Sequence, residues 1–184
     1  MYKYVLRSFF MPKYRTHRPP PISWDTGATD KKILIALPAL LIFLGIFTRW
    51  VSGSPLPTLH YVGALDLTPP VWLLTLLFIL FYFATGIALG LTLGNRLSLC
   101  ADRKYQGAMW QVISLALGYA WYPLFFCARL FLVSAIVCAA CLFSALCATF
   151  CFVRVSKTAF FLSLAADAYL IYLNLLSLRI FFAI

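Results

Sequence analysis

Apolar and polar residues alternate along this chain in long blocks rather than in a helical or strand period. Five apolar stretches, roughly Ile33 to Val51, Val71 to Leu93, Gly107 to Phe126, Leu130 to Val153 and Ala159 to Ile184, are separated by charged or Pro- and Gly-containing segments. About 20 mostly apolar residues, rising about 1.5 Å each, cross a hydrocarbon core about 30 Å thick. Each stretch meets that length, and the connections between them make neighbouring helices antiparallel. The pattern predicts an all-α integral membrane protein, a five-transmembrane-helix bundle over residues 33–184 behind a basic tail over residues 1–32.

Composition agrees with the pattern. Of 184 residues, 64% are hydrophobic and 11% charged, and the mean hydropathy is +0.93; a soluble domain carries about 25% charged residues. A second, soluble domain does not fit. The first apolar run follows the tail and is too long for a signal h-region, so it is expected to stay as a membrane helix.

The net charge of +10 is sorted by segment, which argues for topology and against nucleic-acid binding. Lys3, Arg7, Lys13, Arg15, Arg18, Lys31 and Lys32 precede the first stretch. Arg96, Arg103 and Lys104 follow the second, and Arg154 and Lys157 the fourth. The other side has only Arg49, Arg129 and Arg179. The positive-inside rule therefore predicts a cytoplasmic N-terminus and a C-terminus on the far side. A bacterial inner membrane is the expected location ahead of an organelle membrane. The tail, broken by Pro19 to Pro21, reads as a basic anchor on anionic lipid or as a targeting or partner-binding arm.

Lipid tails are as apolar as Leu, so helices in a membrane associate through close packing and hydrogen bonds. Gly86, Gly90 and Gly94 form a tandem G-x-x-x-G, and Ala140, Ser144 and Ala148 repeat the spacing. Such a stripe serves an intramolecular seam or a homodimer face. In the fifth stretch Ser163, Asp167, Asn174 and Ser177 fall on one helical face, which should meet protein or a water-filled cavity. Asp167 is then either a ligand or proton site or an acid hydrogen-bonded to a neighbouring helix, and Asn174 a packing residue.

Catalytic chemistry has little to work with. There is no Glu, the five acids are all Asp, and the histidines are His17 and His60. H-E-x-x-H, G-x-S-x-G and a phosphate-binding glycine loop are all missing. Cys138 and Cys141 make a C-x-x-C inside an apolar stretch without a nearby His or carboxylate, so they read as packing residues rather than a metal or redox site. No catalytic residue, metal site or obligatory cofactor is expected.

The register around the second stretch carries the functional signal. Pro69, Pro70 and Trp72 are followed by Phe78, Tyr82 and Gly86. This resembles the translocator protein family, also called the tryptophan-rich sensory proteins, whose second helix reads P-P-x-W-x5-W-x3-Y-x3-G, with Phe78 standing for the second tryptophan. "LHYVGALDL" is similar to the family's W-Y-x-x-L, with His60 in the tryptophan position beside Tyr61. "GYAWYPLFF" resembles N-x-x-W-x-x-L-F-F at Trp121, Leu124, Phe125 and Phe126, with Gly118 for the asparagine. The fifth helix is more divergent, with Leu162, Ser163, Ala166 and Tyr169 at the proline, tyrosine, tryptophan and phenylalanine positions, and Leu173 and Asn174 kept.

The resemblance implies a bundle enclosing a pocket for tetrapyrroles such as protoporphyrin or haem, for sterols and for synthetic aromatic ligands. That pocket would be built from Trp72, Phe78, Tyr82, Trp121, Phe125, Ala166 and Tyr169, lidded by His60 and Tyr61. Phe78 and Ala166 replace tryptophans, which should enlarge the pocket and remove the indole donors a porphyrin-degrading enzyme would use. Asp167 beside Ala166 is a candidate polar contact particular to this chain. The expected role is a membrane receptor or transporter for a hydrophobic small molecule. A ligand-free accessory subunit is the rival reading, and porphyrin degradation comes last.

Overall fold

The computed structural model describes residues 31–53, 70–94 and 101–183, so the tail and the predicted lid residues His60 and Tyr61 lie outside the described residues. The described residues form five helices and no strand: α1 (Lys31–Ser52), α2 (Val71–Gly94), α3 (Ala101–Phe126), α4 (Phe131–Phe152) and α5 (Lys157–Ala183). Three helices begin before their apolar runs, α1 and α5 by two residues and α3 by six, because polar residues such as Lys31, Asp102 and Lys157 continue a helix as readily as apolar ones; the other bounds agree with the runs to within one residue. Four of them, α1, α2, α4 and α5, are long and apolar enough to cross a membrane. The third is long enough at 26 residues but less apolar, since it starts with Asp102, Arg103 and Lys104 and carries Gln111 and Ser114 further on.

Connections of four residues tie α3 to α4 and α4 to α5, which forces antiparallel hairpins. The first turns sharply because Arg129 adopts a left-handed φ of 55° while the Leu130 amide donates to the Leu124 carbonyl, 3.1 Å away; this closes the helix end as a glycine usually does. Around the bundle the order is α1, α2, α5, α4, α3, with α3 returning to touch α1.

The α1–α2, α3–α4 and α4–α5 seams each rest on a small residue or a hydroxyl. On α1, Pro38, Leu41 and Gly45 form the buried stripe. A Cβ on Gly86 of α2 would lie 2.5 Å from the Pro38 Cα, and one on Gly90 3.2 Å from the Leu34 Cα, so glycine is what lets the two backbones meet. Gly45 in turn leaves room for the Tyr82 ring, 2.9 Å from where its Cβ would be. Tyr82 is sandwiched from the other side by Tyr119, stacked at 4.9 Å with 5° between planes, and the Tyr119 hydroxyl donates to the Leu41 carbonyl at 2.9 Å. Gly94 is also buried on α2. The stripe on α4 splits: Ser144 and Ala148 are buried, whereas Ala140 is exposed.

Gly107 fits against Cys151 and Phe152 where α3 meets α4. Nearer the middle the Ser114 hydroxyl donates to the Cys141 carbonyl at 3.2 Å, and the Cys141 thiol donates back to the Ser114 carbonyl at 3.2 Å. Between α4 and α5 the Thr149 hydroxyl donates to Asp167 Oδ2 at 2.7 Å and shares a 2.6 Å hydrogen bond with Ser163. Asp167 is 2% exposed, so in this chain the membrane-embedded acid is a partner for a neighbouring helix.

Two measurements test these seams. Gly86→Ala should lower the thermal denaturation midpoint in mild detergent clearly more than Gly118→Ala, because a Cβ on Gly118 would meet its nearest neighbour at an ordinary 3.8 Å; equal shifts would show that the α1–α2 contact is looser than described. Thr149→Val should cost about 1–2 kcal/mol, at the upper end for an interhelical hydrogen bond in a membrane, because it leaves the Asp167 acceptor unmet. Ser163→Ala should cost less, and the two are compared by the same melting curves.

A candidate ligand cavity between four helices

The bundle has two unlike halves. Toward the end that carries the α1 N-terminus, Ala88, Leu91, Ala148, Phe152 and Ala159 pack tightly. Toward the opposite end the core is aromatic, built on Phe78, Phe81, Tyr82, Trp121, Tyr122 and Phe125. Small side chains let backbones close up, whereas rings hold them apart and leave irregular gaps.

One such gap lies between α2, α3, α4 and α5. It is lined by Phe78, Phe81 and Tyr82 of α2, Gly118 and Trp121 of α3, Cys138 and Cys141 of α4, and Tyr169, Leu170 and Leu173 of α5. Its volume is about 20 Å³, room for about one water. Phe78 meets Tyr82 edge-on at 4.7 Å and Tyr122 at 5.7 Å, and Phe81 meets Tyr169 at 5.5 Å. Phe78, which stands at a tryptophan position of the family pattern, is thus packed between Tyr82 and Tyr122, and the gap beside it is small.

Four of the residues picked from sequence, Phe78, Tyr82, Trp121 and Tyr169, line this cavity. Phe125 is fully buried behind the wall, stacked on Trp121 at 5.2 Å and edge-on to Phe131 at 5.4 Å. Ala166 is buried one turn below Tyr169 without reaching the lining, and Asp167 is engaged with Thr149 in the α4–α5 seam. Asn174 is half-buried on the same helix.

Trp72 is a correction. It is 68% exposed in the first turn of α2, because six residues at about 100° each turn it about 120° away from the face that carries Phe78. A tryptophan on the outside of a helix end suits the membrane interface. Conversely, Phe81, Cys138, Cys141 and Leu170 were missed. Phe81 shares the inward face of Phe78 by its i+3 spacing, and the two cysteines continue the small buried stripe of Ser134, Ala145 and Ala148 on α4.

Polar groups in and near the cavity are mainly donors. Trp121 is 5% exposed, and its buried Nε1–H has no hydrogen-bond partner among the described residues; the buried Tyr172 hydroxyl is in the same position. Cys141 is committed to Ser114. At the end of α1 the Arg49 guanidinium donates to the Thr75 hydroxyl, one turn along α2 from Phe78.

Comparison with curated proteins and with solved structures gave no match. The model of the TspO/MBR family matches residues 34–183, which takes in all five helices and leaves out the basic tail. A helical membrane chain with an aromatic-lined gap among α2 to α5 is in keeping with that match, and over the greater part of its length this protein belongs to the TspO/MBR family.

Proposed function

We propose that this protein is a membrane receptor or transporter that binds a flat hydrophobic ligand of the tetrapyrrole or sterol class in the α2–α5 cavity. The observation that carries the reading is Trp121: a buried indole donor without a partner, on the wall of an aromatic gap. A donor left unmet in a low-dielectric interior is costly, and a ligand acceptor would satisfy it. Membership of the TspO/MBR family supports a ligand-binding or transport-like role. The chain offers a binding site rather than a catalytic one, and any porphyrin or haem is its ligand rather than a cofactor.

A pocket for such a ligand holds about 300–1,000 Å³, far more than the gap described. Binding therefore requires rings to swing aside, with Phe78, which packs on both Tyr82 and Tyr122, as the principal gate. A rival reading, a small accessory subunit without a ligand, draws its support from the same small volume.

The α3 helix is proposed as the fifth span. Its Gln111 and Ser114 are buried in the bundle rather than turned to lipid, and the tight hairpin aligns it with α4. The N-terminus is proposed to be cytoplasmic, since Lys31, Lys32, Arg103, Lys104, Arg154 and Lys157 all lie toward one end of the helices, with Arg49, Arg129 and Arg179 toward the other.

Titration of detergent-purified protein with protoporphyrin IX, followed by tryptophan quenching, should give saturable low-micromolar binding. Trp121→Phe should weaken it about tenfold, the equivalent of about 1.4 kcal/mol for one hydrogen bond. Absence of saturable binding by the folded wild type would favour the accessory-subunit reading. Phe78→Ala should speed association, because opening the gate raises the competent fraction; stopped-flow quenching measures it, and an unchanged rate would move the gate elsewhere.

A further inference from the structure

Asp167 does not line the aromatic cavity, and it is the one acid inside an apolar run of the described residues. It lies about 15 Å along α5 from Lys157 and about 18 Å from Arg179, near the middle of a hydrocarbon core about 30 Å thick. An ionised acid at that depth is expensive and calls for a counter-charge. The two helices packed along α5 supply none. α4 brings four thiols, Cys138, Cys141, Cys147 and Cys151, and α2 one phenol, Tyr82, and neither helix has a charged residue. The Cys141 thiol is given to the Ser114 carbonyl, and Tyr82 is stacked on Tyr119. On α5 itself the titratable groups between the two end cations are Asp167, Tyr169 and Tyr172.

Among the described residues the Asp167 carboxyl group has one hydrogen-bond donor, the Thr149 hydroxyl at 2.7 Å, and Thr149 is 2.6 Å from the Ser163 hydroxyl. An ionised carboxylate has about four lone-pair sites to fill, so a single hydroxyl does not stand in for water. The spacing also decides which cation balances the charge. Oxygens that share a metal ion stand about 2.0–2.6 Å from it and hence about 3 Å or more from one another. Contacts of 2.6 and 2.7 Å have a hydrogen between the oxygens, so the cation this cluster suits is a proton.

We propose that Asp167, Thr149 and Ser163 form a proton-binding site inside the membrane, filled and emptied from the end of the bundle that carries the α4–α5 connection. Both hydroxyls lie on that side of the acid: Ser163 is one turn nearer the start of α5, and Thr149 is in the last turn of α4. In the other direction the next turns present Leu170 and Leu173 of α5 and Ala145 of α4, all buried and apolar. The site binds its proton whatever occupies the aromatic gap, so it stands apart from the ligand-binding reading.

Infrared spectroscopy of the full-length protein in zwitterionic phospholipid vesicles detects the bound proton directly, because a protonated carboxyl group has a C=O stretch above the amide bands and a carboxylate has none there. At neutral pH the wild type should show such a band, Asp167→Asn should lack it, and it should fade when the pH is raised and return when the pH is lowered. Asp167→Asn keeps an oxygen to accept from Thr149; should it fail to fold, carbon-13 labelling of the aspartates and the frequency shift in Thr149→Val assign the band instead. On transfer into D2O the band should shift as the acid exchanges its proton, severalfold more slowly in Ser163→Ala and at the wild-type rate in Trp121→Phe, a change in the cavity wall. Wild-type and Asp167→Asn spectra that agree above the amide bands overturn the proposal, since the acid is then ionised. So does a band that neither pH nor D2O changes, which marks a sealed structural hydrogen bond. Exchange that Ser163→Ala leaves at the wild-type rate, or that Trp121→Phe slows, overturns the route of entry.

Discussion

The backbone contact of Gly86 with Pro38 is the constraint on which the aromatic half of the bundle depends. In lipid, helices gain little by burying apolar surface against each other, so a seam holds only where backbones come close enough for dense packing. Once Gly86 and Gly90 fix α1 against α2, the stripe of α1 that begins at Pro38 falls in register two and three turns later. Gly45 then lies under Tyr82, the Leu41 carbonyl meets the Tyr119 hydroxyl, and Arg49 reaches Thr75. One close approach thereby sets the positions of a stacked tyrosine pair and a cation well above it.

The other seams divide the work by residue size. Gly107 against Cys151 and Phe152 brings α3 and α4 together at the small-residue end, while Ser114 and Cys141 exchange hydrogen bonds where the rings begin. With the helices pinned below, the aromatic end has to accommodate side chains of mixed shape, and the gap beside Trp121 is what remains. The seams thus place the tight packing at one end of the bundle and the unfilled space at the other.

The helices and much of the wall were legible because block hydropathy and helical spacing are local signals. Phe78 with Tyr82, four residues apart, share a face, as do Gly86 and Gly90, and the structure uses both pairs on the inside of α2. Trp72 was placed by a motif interval of six, which does not return to the same face, and it lies outside. Cavity size was illegible for a different reason. It depends on how Tyr122, Phe81 and Tyr169 repack around Phe78, and no pairwise spacing contains that many-body arrangement. Asp167 stood out as a polar residue in an apolar run, but its partner Thr149 is on another helix, 18 positions earlier.

The Thr149 hydroxyl has a single proton, and that proton is given to Asp167 Oδ2. Its 2.6 Å contact with Ser163 therefore runs the other way, Ser163 donating and Thr149 accepting. The three side chains form a directed wire across the α4–α5 seam, with every hydrogen aimed at the carboxylate. Protonating Asp167 would make it a donor to Thr149 and turn the whole row around, so that the acid and two hydroxyls store one bit of orientation between them.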